Sequence, residues 1–521
     1  MKKTYLILLL LVLVSTAVSS QGNAGNKDSA DKKPPPPKDR NMFGLYIPRG
    51  LKVNSVGIED GYIMYAVPNS PLVYLLNRRG ELVHQWKGNY GLLGAYLQDD
   101  GSVFQSAIDP DFPTFGFGGP YGRLQHISWD SKMLWDYEYA NDTEMIHHDF
   151  TVMPNGHLLA IAYEAKTYDQ AIAIGRKPEK TPKAGPWLEK IIEIVPEGKT
   201  GGKIVWEWHV KDHLIQDFDL RKANFGKPAD HPELLDINMG PKLPPAISQD
   251  SVDILQAKDM AERNETADNM GADIFHFNAI KYNADLDQIV FSSPNLCEIF
   301  IIDHSTTTQQ AAGHKAGRYG KGGDFLYRWG NPKNYQRGDS TNQQLFGQHD
   351  VRWIEKGKPG AGNLTIFDND IPYRGDSMNY SMIDEIATPI DSKGNYYLEA
   401  NKTYGPAKPV WTYMAADTVS FHAGFISGAQ RMESGNTFIN EGPKGRMFEV
   451  TREGQIVWEY LNPYHGDIHK PNGDPVRAAP FTYWGFRGNF IPANHPAFAN
   501  KKLEPLFPQP KPFLLPPPPG H

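Results

Sequence analysis

The sequence predicts an all-β fold, a six-bladed β-propeller with long inter-blade insertions, and three observations point to this class. A short β-rich phrase that ends in tryptophan occurs six times. Turn signals rich in glycine and asparagine separate short runs in which apolar and polar residues alternate. The closest copies of the phrase are about fifty residues apart, which is the spacing expected of propeller blades.

The tryptophan phrases define the six predicted blades. Several of them follow a turn such as Arg79-Gly80 or Glu453-Gly454. We expect each tryptophan to pack between neighbouring blades. The six phrases end at Trp86, Trp135, Trp206, Trp329, Trp411 and Trp458.

The propeller is expected to occupy residues 43–498, with other segments at both ends. Residues 1–20 combine two lysines, an apolar run and small residues, which is the pattern of a secretory signal peptide. Residues 21–42 predict a disordered proline-rich linker, and residues 499–521 a proline-rich tail. The largest insertion covers about residues 211–273 and contains a helix-like stretch from Ser251 to Ala267.

Charge and cysteine content narrow the expected partners. A net charge of -7 and a pI near 6.2 provide no basic field for nucleic acid or an anionic membrane. No later apolar run is long enough to span a bilayer, so we expect no membrane contact once the signal is removed. Cys297 is the only cysteine, which excludes an intramolecular disulfide, and we expect it to be a buried apolar residue. These features predict a periplasmic or secreted protein.

Three histidines share one position relative to a turn. His148, His276 and His349 each lie seven residues before the central residue of the next turn. Equivalent positions on the innermost strands of a propeller converge on its axis, so we expect the three imidazoles to form one site. The three turn residues are Asn155, Asn283 and Lys356.

Strand alternation predicts the neighbours of these histidines. Residues two apart share a face, which places Asn278 beside His276 on the channel side. The same rule turns His147 away from His148. It also turns away the aspartates that follow two of the histidines, which are expected to form hydrogen bonds within their own blades.

Three converging imidazoles are compatible with several functions. They can bind zinc and leave a fourth position for water, as in a metal-dependent hydrolase. They can also act without a metal, as a nucleophile with acid–base partners. A catalytically degenerate propeller used only for binding is the third alternative. The residues alone leave all three open.

A set of motifs around these histidines narrows the choice. They are Met145-Ile146-His147-His148-Asp149, His276-Phe277-Asn278-Ala279-Ile280, Ser292-Ser293, Gln348-His349-Asp350, Ile366-Phe367-Asp368-Asn369 and Gly428-Ala429-Gln430-Arg431. With them, most of the folded span resembles the bacterial aryl sulfotransferases, or arylsulfate sulfotransferases, which use no nucleotide sulfate donor. The resemblance implies a six-bladed propeller with an axial funnel. It also implies ping-pong transfer of a sulfuryl group from a phenolic sulfate ester to a phenol.

The resemblance implies a role for each residue of the site. His349 corresponds to the nucleophile that becomes transiently sulfated, and His148 to the group that serves the phenol oxygen. His276 and Asn278 correspond to groups that bind the sulfate oxygens. No metal or other cofactor is implied, and the partners are a phenolic sulfate donor and a phenol acceptor. A sulfatase in which water replaces the acceptor is a close variant, and a homodimer is a possible assembly.

One position departs from the family pattern. An arginine that helps to hold sulfate follows the serine pair in the family, whereas Pro294 and Asn295 stand there in this chain. The cations that could replace it are Arg431, Arg374 and Lys281. Further candidates for substrate binding are His147, His422 and Tyr163, with Tyr168 and Trp353 as an aromatic wall.

Overall fold

Six antiparallel sheets, each with four or five strands, form the blades of the propeller in a computed structural model. The predicted all-β, six-bladed fold is confirmed. The structure describes residues 47–109, 114–243, 246–257, 261, 265–372, 379–400, 402–418, 420–466 and 483–513. The predicted signal peptide (1–20) and linker (21–42) lie outside these residues, as does the end of the predicted tail.

The strands of the first half of the chain form most of blades 1 to 3. Blade 1 has the order β27-β2-β3-β4, blade 2 the order β5 to β8, and blade 3 the order β12-β11-β10-β9. The strands are β1 (Gly50–Asn54), β2 (Gly61–Ala66), β3 (Leu72–Asn77), β4 (Leu82–Lys87), β5 (Leu92–Leu97), β6 (Val103–Ile108), β7 (Gly122–Ile127), β8 (Met133–Glu138), β9 (Glu144–Val152), β10 (Leu158–Ala165), β11 (Trp187–Glu197), β12 (Gly201–His209), β13 (Leu214–Ile215), β14 (Leu235–Asp236) and, from the chain's end, β27 (Gly488–Pro492).

Blades 4 to 6 follow in sequence order. Blade 4 consists of β15 to β18, blade 5 of β19 to β22, and blade 6 of β23 to β26 with β1 added at its edge. The strands are β15 (Ala279–Asn283), β16 (Gln288–Ser293), β17 (Glu298–Asp303), β18 (Tyr327–Trp329), β19 (His349–Trp353), β20 (Leu364–Pro372), β21 (Asn379–Ile386), β22 (Trp411–Tyr413), β23 (Gly428–Arg431), β24 (Thr437–Glu441), β25 (Arg446–Val450) and β26 (Ile456–Leu461).

Segments from both ends of the folded chain close the ring. β27 pairs with β2 and is the innermost strand of blade 1. β1 pairs with β26 at the outer edge of blade 6. Part of the predicted tail then returns to blade 1, where the Leu506 N–H donates to Leu82 O (2.8 Å). The first and last blades are therefore joined by backbone hydrogen bonds.

The six tryptophan phrases form the fourth strand from the axis in each blade, which is the outermost strand except in blade 6, where β1 pairs outside β26. Each indole N–H donates a hydrogen bond to the next blade, at 2.7 to 3.2 Å. The acceptors, from Trp86 to Trp458, are Gly101 O, Gly201 O, Thr306 Oγ1, Pro406 O, Arg452 O and Arg78 O. The same contact therefore links every pair of neighbouring blades around the circle.

The insertion after β12 contains only short elements. β13 pairs with β14 in parallel, and a helix at Gln249–Gln256 follows. This helix starts before the predicted Ser251 because the Ser248 side chain accepts a hydrogen bond from the Ser251 N–H. The other α-helices are Tyr168–Ala173 and Thr308–Ala311, and the 3₁₀ turns are Pro178–Lys180, Val210–His213, Pro228–Asp230, Pro332–Tyr335, Ser340–Asn342, Gly442–Lys444 and Pro496–Phe498. In the described part of the chain, no helix combines the length and apolar character that crossing a bilayer requires.

The tryptophan ring predicts a specific stability loss. Trp458 is fully buried and donates to Arg78 O at 2.9 Å. Trp458→Phe keeps an aromatic ring but removes this donor, so we expect the free energy of unfolding to fall by about 1–3 kcal/mol in denaturant titrations. Trp353→Phe is the matched control, because the Trp353 indole makes no hydrogen bond to a described residue. Equal losses in both variants would contradict the assignment.

Candidate active site

The three in-register histidines meet near the propeller axis. His148 lies within β9, His276 precedes β15, and His349 begins β19. The rings of His148 and His276 have centroids 4.3 Å apart and planes at 74°. His349 is close enough to interact electrostatically with His148. His148 and His349 are buried, whereas the His276 side chain is 23% exposed, so His276 is the most solvent-accessible of the three.

Irregular backbone orients these side chains. His148 has φ +54°, His276 +55° and Asp350, next to His349, +53°. Residues other than glycine seldom adopt these angles. The register between β9 and β10 shifts at Ala160/Ala162, opposite His148, which marks a β-bulge. Such bulges redirect a side chain relative to the regular pleat.

A pair of glycines from blade 2 covers the histidines. The His148 N–H donates to Gly119 O at 2.8 Å. A Cβ at Gly119 would lie 2.8 Å from the His148 ring, and one at Gly118 would lie 2.3 Å from Asp273 Oδ2. Both distances are shorter than van der Waals contact. The loop can therefore pack this closely only with glycine at both positions.

His147 and Glu189 form a hydrogen-bonded chain behind His148. The Nδ1 atoms of His147 and His148 lie 2.7 Å apart, and His147 Nε2 lies 2.8 Å from Glu189 Oε2. The ring of His147 stacks on Tyr163 with centroids 3.5 Å apart, although its Nδ1 still reaches His148, which regular strand alternation would not allow. His147 and Tyr163 are both fully buried. They therefore support His148 from behind and are closed to solvent.

Burial determines the protonation of this chain. It lowers the pKa of His147 and of His148 well below the ordinary value. Burial, with the nearby Asp273 charge, raises the pKa of Glu189 well above that of a free carboxyl group. Glu189 also accepts from the Phe277 N–H at 2.9 Å. The favoured state is a protonated Glu189 that donates to a neutral His147.

His276 has the opposite charge preference. Burial disfavours its cation, but the charge of Asp273 and a hydrogen bond between Asp273 Oδ2 and His276 Nδ1 outweigh burial and raise the pKa of His276. Tyr163 Oη donates to the same carboxylate oxygen at 2.8 Å. Asn295 follows the serine pair, in the region where the family has an arginine. It donates from Nδ2 to the main-chain oxygen of Asp273 at 3.0 Å. This part of the sequence therefore supports the His276–Asp273 pair.

His349 is held as a neutral imidazole with a defined tautomer. Asn369 donates from Nδ2 to Ala423 O (2.7 Å) and Ile426 O (2.9 Å), which turns its Oδ1 toward His349 Nδ1 at 2.8 Å. The proton therefore lies on Nδ1, and Nε2 accepts from the Ile426 N–H at 3.0 Å. Burial and the charge of Arg487 lower the pKa of His349 to about 3.

Asn278 lies beneath the histidines and is fully buried. It donates from Nδ2 to Gln348 O at 2.9 Å, which connects blade 4 to the residue before His349. Its Oδ1 has no hydrogen-bond partner among the described residues. Asn278 is thus placed to position His349.

Arg487 is the cation at the axis, and sequence analysis missed it. It precedes β27 and donates from Nη2 to Asn278 O (3.0 Å) and from Nη1 to Ser427 O (2.7 Å). Its Nε lies 3.3 Å from Asp350 Oδ1. It therefore joins blades 1, 4, 5 and 6. Only the topology could have indicated Arg487, since a C-terminal strand often completes the first blade of a closed ring and so brings nearby residues to the axis.

The aspartates that follow two of the histidines bind across blades. Asp149 in blade 3 contacts Lys281 Nζ of blade 4 at 2.9 Å and accepts from Tyr96 of blade 2. Asp350 pairs with Arg352 at 2.7 Å as well as with Arg487. The prediction that Asp149 forms its hydrogen bonds within its own blade is therefore wrong, because its main partners belong to blades 2 and 4. The cause is that bulged inner strands direct these carboxylates toward the neighbouring blades.

The remaining candidates have other partners. Arg431 is buried in an ion pair with Glu385 at 2.6 Å, and His422 Nε2 lies 3.0 Å from Asp370 Oδ1. Arg374 lies outside the described residues. Tyr168 begins a helix, Trp353 ends β19, and the partly buried Cys297 precedes β17, where burial raises the pKa of its thiol to about 12. None of the described contacts of Arg431 or His422 reaches the three histidines.

The positions of the ligand atoms bear on the zinc alternative. Over the described ranges, three histidine or carboxylate ligand atoms lie within 4.8 Å of one another at one place, formed by His213, His314 and Asp324. The three channel histidines do not form such a set.

Several solved structures are similar to this chain at low identity. A protein of unknown function from Bacteroides caccae has 10% identity and a TM-score of 0.39, and covers 77% of this chain and 94% of its own. The periplasmic gluconolactonase of Pseudomonas aeruginosa has 9% identity and a TM-score of 0.38, with 83% and 99% covered. Streptogramin B lyase has 10% identity and a TM-score of 0.33, with 86% and 96% covered.

Sequence comparisons are more specific. No curated protein matches the chain. The arylsulfotransferase (ASST) family model matches residues 123–466, which is more than half of the chain and includes all three channel histidines. The chain therefore belongs to the arylsulfotransferase (ASST) family.

Proposed function

We propose that this protein transfers a sulfuryl group from a phenolic sulfate ester to a phenol, in ping-pong fashion, through a sulfohistidine at His349. One observation carries the proposal, namely the charge pattern of three neighbouring imidazoles. His349 and His148 are held neutral, whereas His276 is favoured as a cation. A neutral imidazole can attack sulfur, and a cation beside it can bind the sulfate oxygens.

In the first half-reaction, the lone pair of His349 Nε2 forms a bond to sulfur while the bond from sulfur to the aryl oxygen breaks. The leaving phenolate takes a proton from His148 Nε2. His148 Nδ1 then takes the Nδ1 proton of His147, and His147 Nε2 takes the proton of Glu189. The 2.7 and 2.8 Å separations support this path. The net change is one proton moved from Glu189 to the phenol.

The second half-reaction runs in reverse with a different phenol. The chain from His148 to Glu189 accepts the phenol proton as the phenol oxygen attacks sulfur. The bond from sulfur to His349 Nε2 breaks and restores the neutral imidazole. The same groups act first as acid and then as base.

Ile426 must move for His349 to react. Its N–H occupies the Nε2 lone pair, and its φ of +49° is unfavourable for a β-branched residue. We propose that the incoming sulfuryl group displaces this hydrogen bond. Release of the strained peptide offsets part of the lost contact.

The charges around the site support binding of an anionic donor. His276 Nε2 makes no hydrogen bond within the described part of the chain and is available for a sulfate oxygen. Arg487 adds a positive charge near His349. We propose that this charge serves in place of the family arginine, although Arg487 lies elsewhere in the sequence. We propose further that the chain acts outside the cytoplasm, since its N-terminal sequence resembles a signal peptide.

The covalent intermediate gives a direct test of the function. Incubation with 4-nitrophenyl sulfate and no acceptor should raise the intact-protein mass by one SO3 group, and addition of a phenol should remove it. His349→Gln should abolish both the mass shift and transfer. His231→Gln, an exposed histidine in the insertion, is the matched control and should behave as the parent.

Other outcomes identify the alternatives. Rapid phenol release without an acceptor would indicate a sulfatase. Activity that a chelator abolishes would indicate a metal-dependent hydrolase, and no reaction with any aryl sulfate would indicate a binding propeller. Each result would overturn the proposed transferase.

Glu189→Gln tests the proton path. Glutamine can donate to His147 Nε2 and accept from the Phe277 N–H, as the protonated carboxyl group does, but it supplies no proton. We expect a loss of about 100-fold for phenyl sulfate, whose leaving group needs a proton, and little change for 4-nitrophenyl sulfate. The measurement is the rate of the first half-reaction across a series of leaving phenols.

The control for this series is Glu193→Gln. Glu193 lies on the same strand but contacts His157 (2.5 Å) and His304 (3.0 Å), away from the channel. In Glu193→Gln we expect the rate of the first half-reaction to change little, and by the same factor for every donor. A loss in Glu189→Gln that is equal for every leaving group would show that Glu189 is only structural.

A further inference from the structure

We propose that His213, His314 and Asp324 form a zinc site that fastens the long insertion to blade 4. His213 ends the 3₁₀ turn at the start of the insertion. His314 and Asp324 belong to the connection between β17 and β18. The site lies outside the histidine cluster at the axis and does not depend on the proposed sulfuryl transfer.

The hydrogen bonds of His213 indicate that a proton or a metal ion joins His213 to Asp324. Its Nε2 lies 2.8 Å from Ala311 O, and a carbonyl oxygen only accepts, so Nε2 carries a proton. In a neutral ring, Nδ1 then has a bare lone pair. This lone pair lies 2.8 Å from Asp324 Oδ1, which is also an acceptor. Two acceptors at this distance repel each other unless a proton or a metal ion lies between them.

A second imidazole converges on the same carboxylate oxygen. His314 Nδ1 also lies 2.8 Å from Asp324 Oδ1, and the three ligand atoms are within 4.8 Å of one another. Two imidazole nitrogens and a carboxylate oxygen are ligand types that Zn²⁺ prefers. The Nε2 bond from His213 to a backbone carbonyl is the usual outer contact of a zinc-bound histidine. His314 is 57% exposed, so water can take the fourth position.

The surrounding residues fix the orientation of His213. Its ring stacks on Trp208 with centroids 5.3 Å apart and planes at 1°. Trp208 Nε1 donates to Gly323 O at 2.7 Å. A Cβ at Gly323 would lie 2.7 Å from His213 Nε2, so only glycine admits the ring here. The ligand is therefore held in place before any metal binds.

The other nearby charges do not compete strongly for Asp324. Lys321 is close enough to interact with both Asp324 and Glu233, and its charge is shared between the two. No ion pair links Lys321 to Asp324 in the described residues. The carboxylate therefore remains available to a metal ion.

Zinc titration of metal-free protein, purified without a histidine tag, tests the proposal. Calorimetry should give one zinc ion per chain, no binding of Mg²⁺, and a rise in Tm with zinc. His314→Gln should weaken zinc binding by more than about 100-fold, because loss of a mere outer-shell partner already costs 10–100-fold. His314 is exposed, so this variant should fold normally.

His231→Gln changes an exposed histidine of the insertion that is not one of the proposed ligands, so it is the control and should bind zinc as the parent does. A protein that binds no zinc, or that binds it equally well in His314→Gln, would overturn the proposal. In that case the three residues are joined by hydrogen bonds alone. Sulfuryl transfer should be retained in His314→Gln, which keeps this test separate from that of the proposed function.

Discussion

The contacts that join Arg487 of blade 1 to the inner ends of three other blades are the constraint on which the site depends. Its guanidinium binds the main chain at Asn278 and Ser427 and the carboxylate of Asp350. These contacts fix the inner strands relative to one another. The same positive charge, added to burial, keeps His349 neutral. One residue thus supports both the geometry and the reactivity of the proposed nucleophile.

The backbone of the inner strands makes this arrangement achievable. A regular strand would place His147 and His148 on opposite faces, yet their Nδ1 atoms lie 2.7 Å apart. The bulge and the left-handed conformation at His148 bring them together. Asp273 then distinguishes His276 from the other two imidazoles by favouring its cation. The unfavourable backbone angles occur where the chemistry is expected, and the indole contacts between blades stabilise the surrounding propeller.

Features that repeat along the sequence could be predicted from it, whereas contacts that arise only when the ring closes or a strand bulges could not. The tryptophan phrases predicted the six blades because one indole contact recurs in each, and the turn register predicted the meeting of His148, His276 and His349. Arg487 was missed because it follows no repeated phrase and reaches the axis only when β27 closes the ring. The chain from Glu189 to His148 was missed because a bulge, which the sequence does not reveal, overrides strand alternation.

The protonation states of the channel histidines are the central claim, and a nitrogen-15 NMR titration of labelled histidines measures them directly. The His349 signals are assigned by their loss in His349→Gln. We expect His349 to remain neutral, with its proton on Nδ1, from about pH 8 down to about pH 5, while His276 stays protonated above the ordinary histidine pKa of about 6.5. A His349 that titrates near pH 6.5, or a His276 that is already neutral there, would contradict the account.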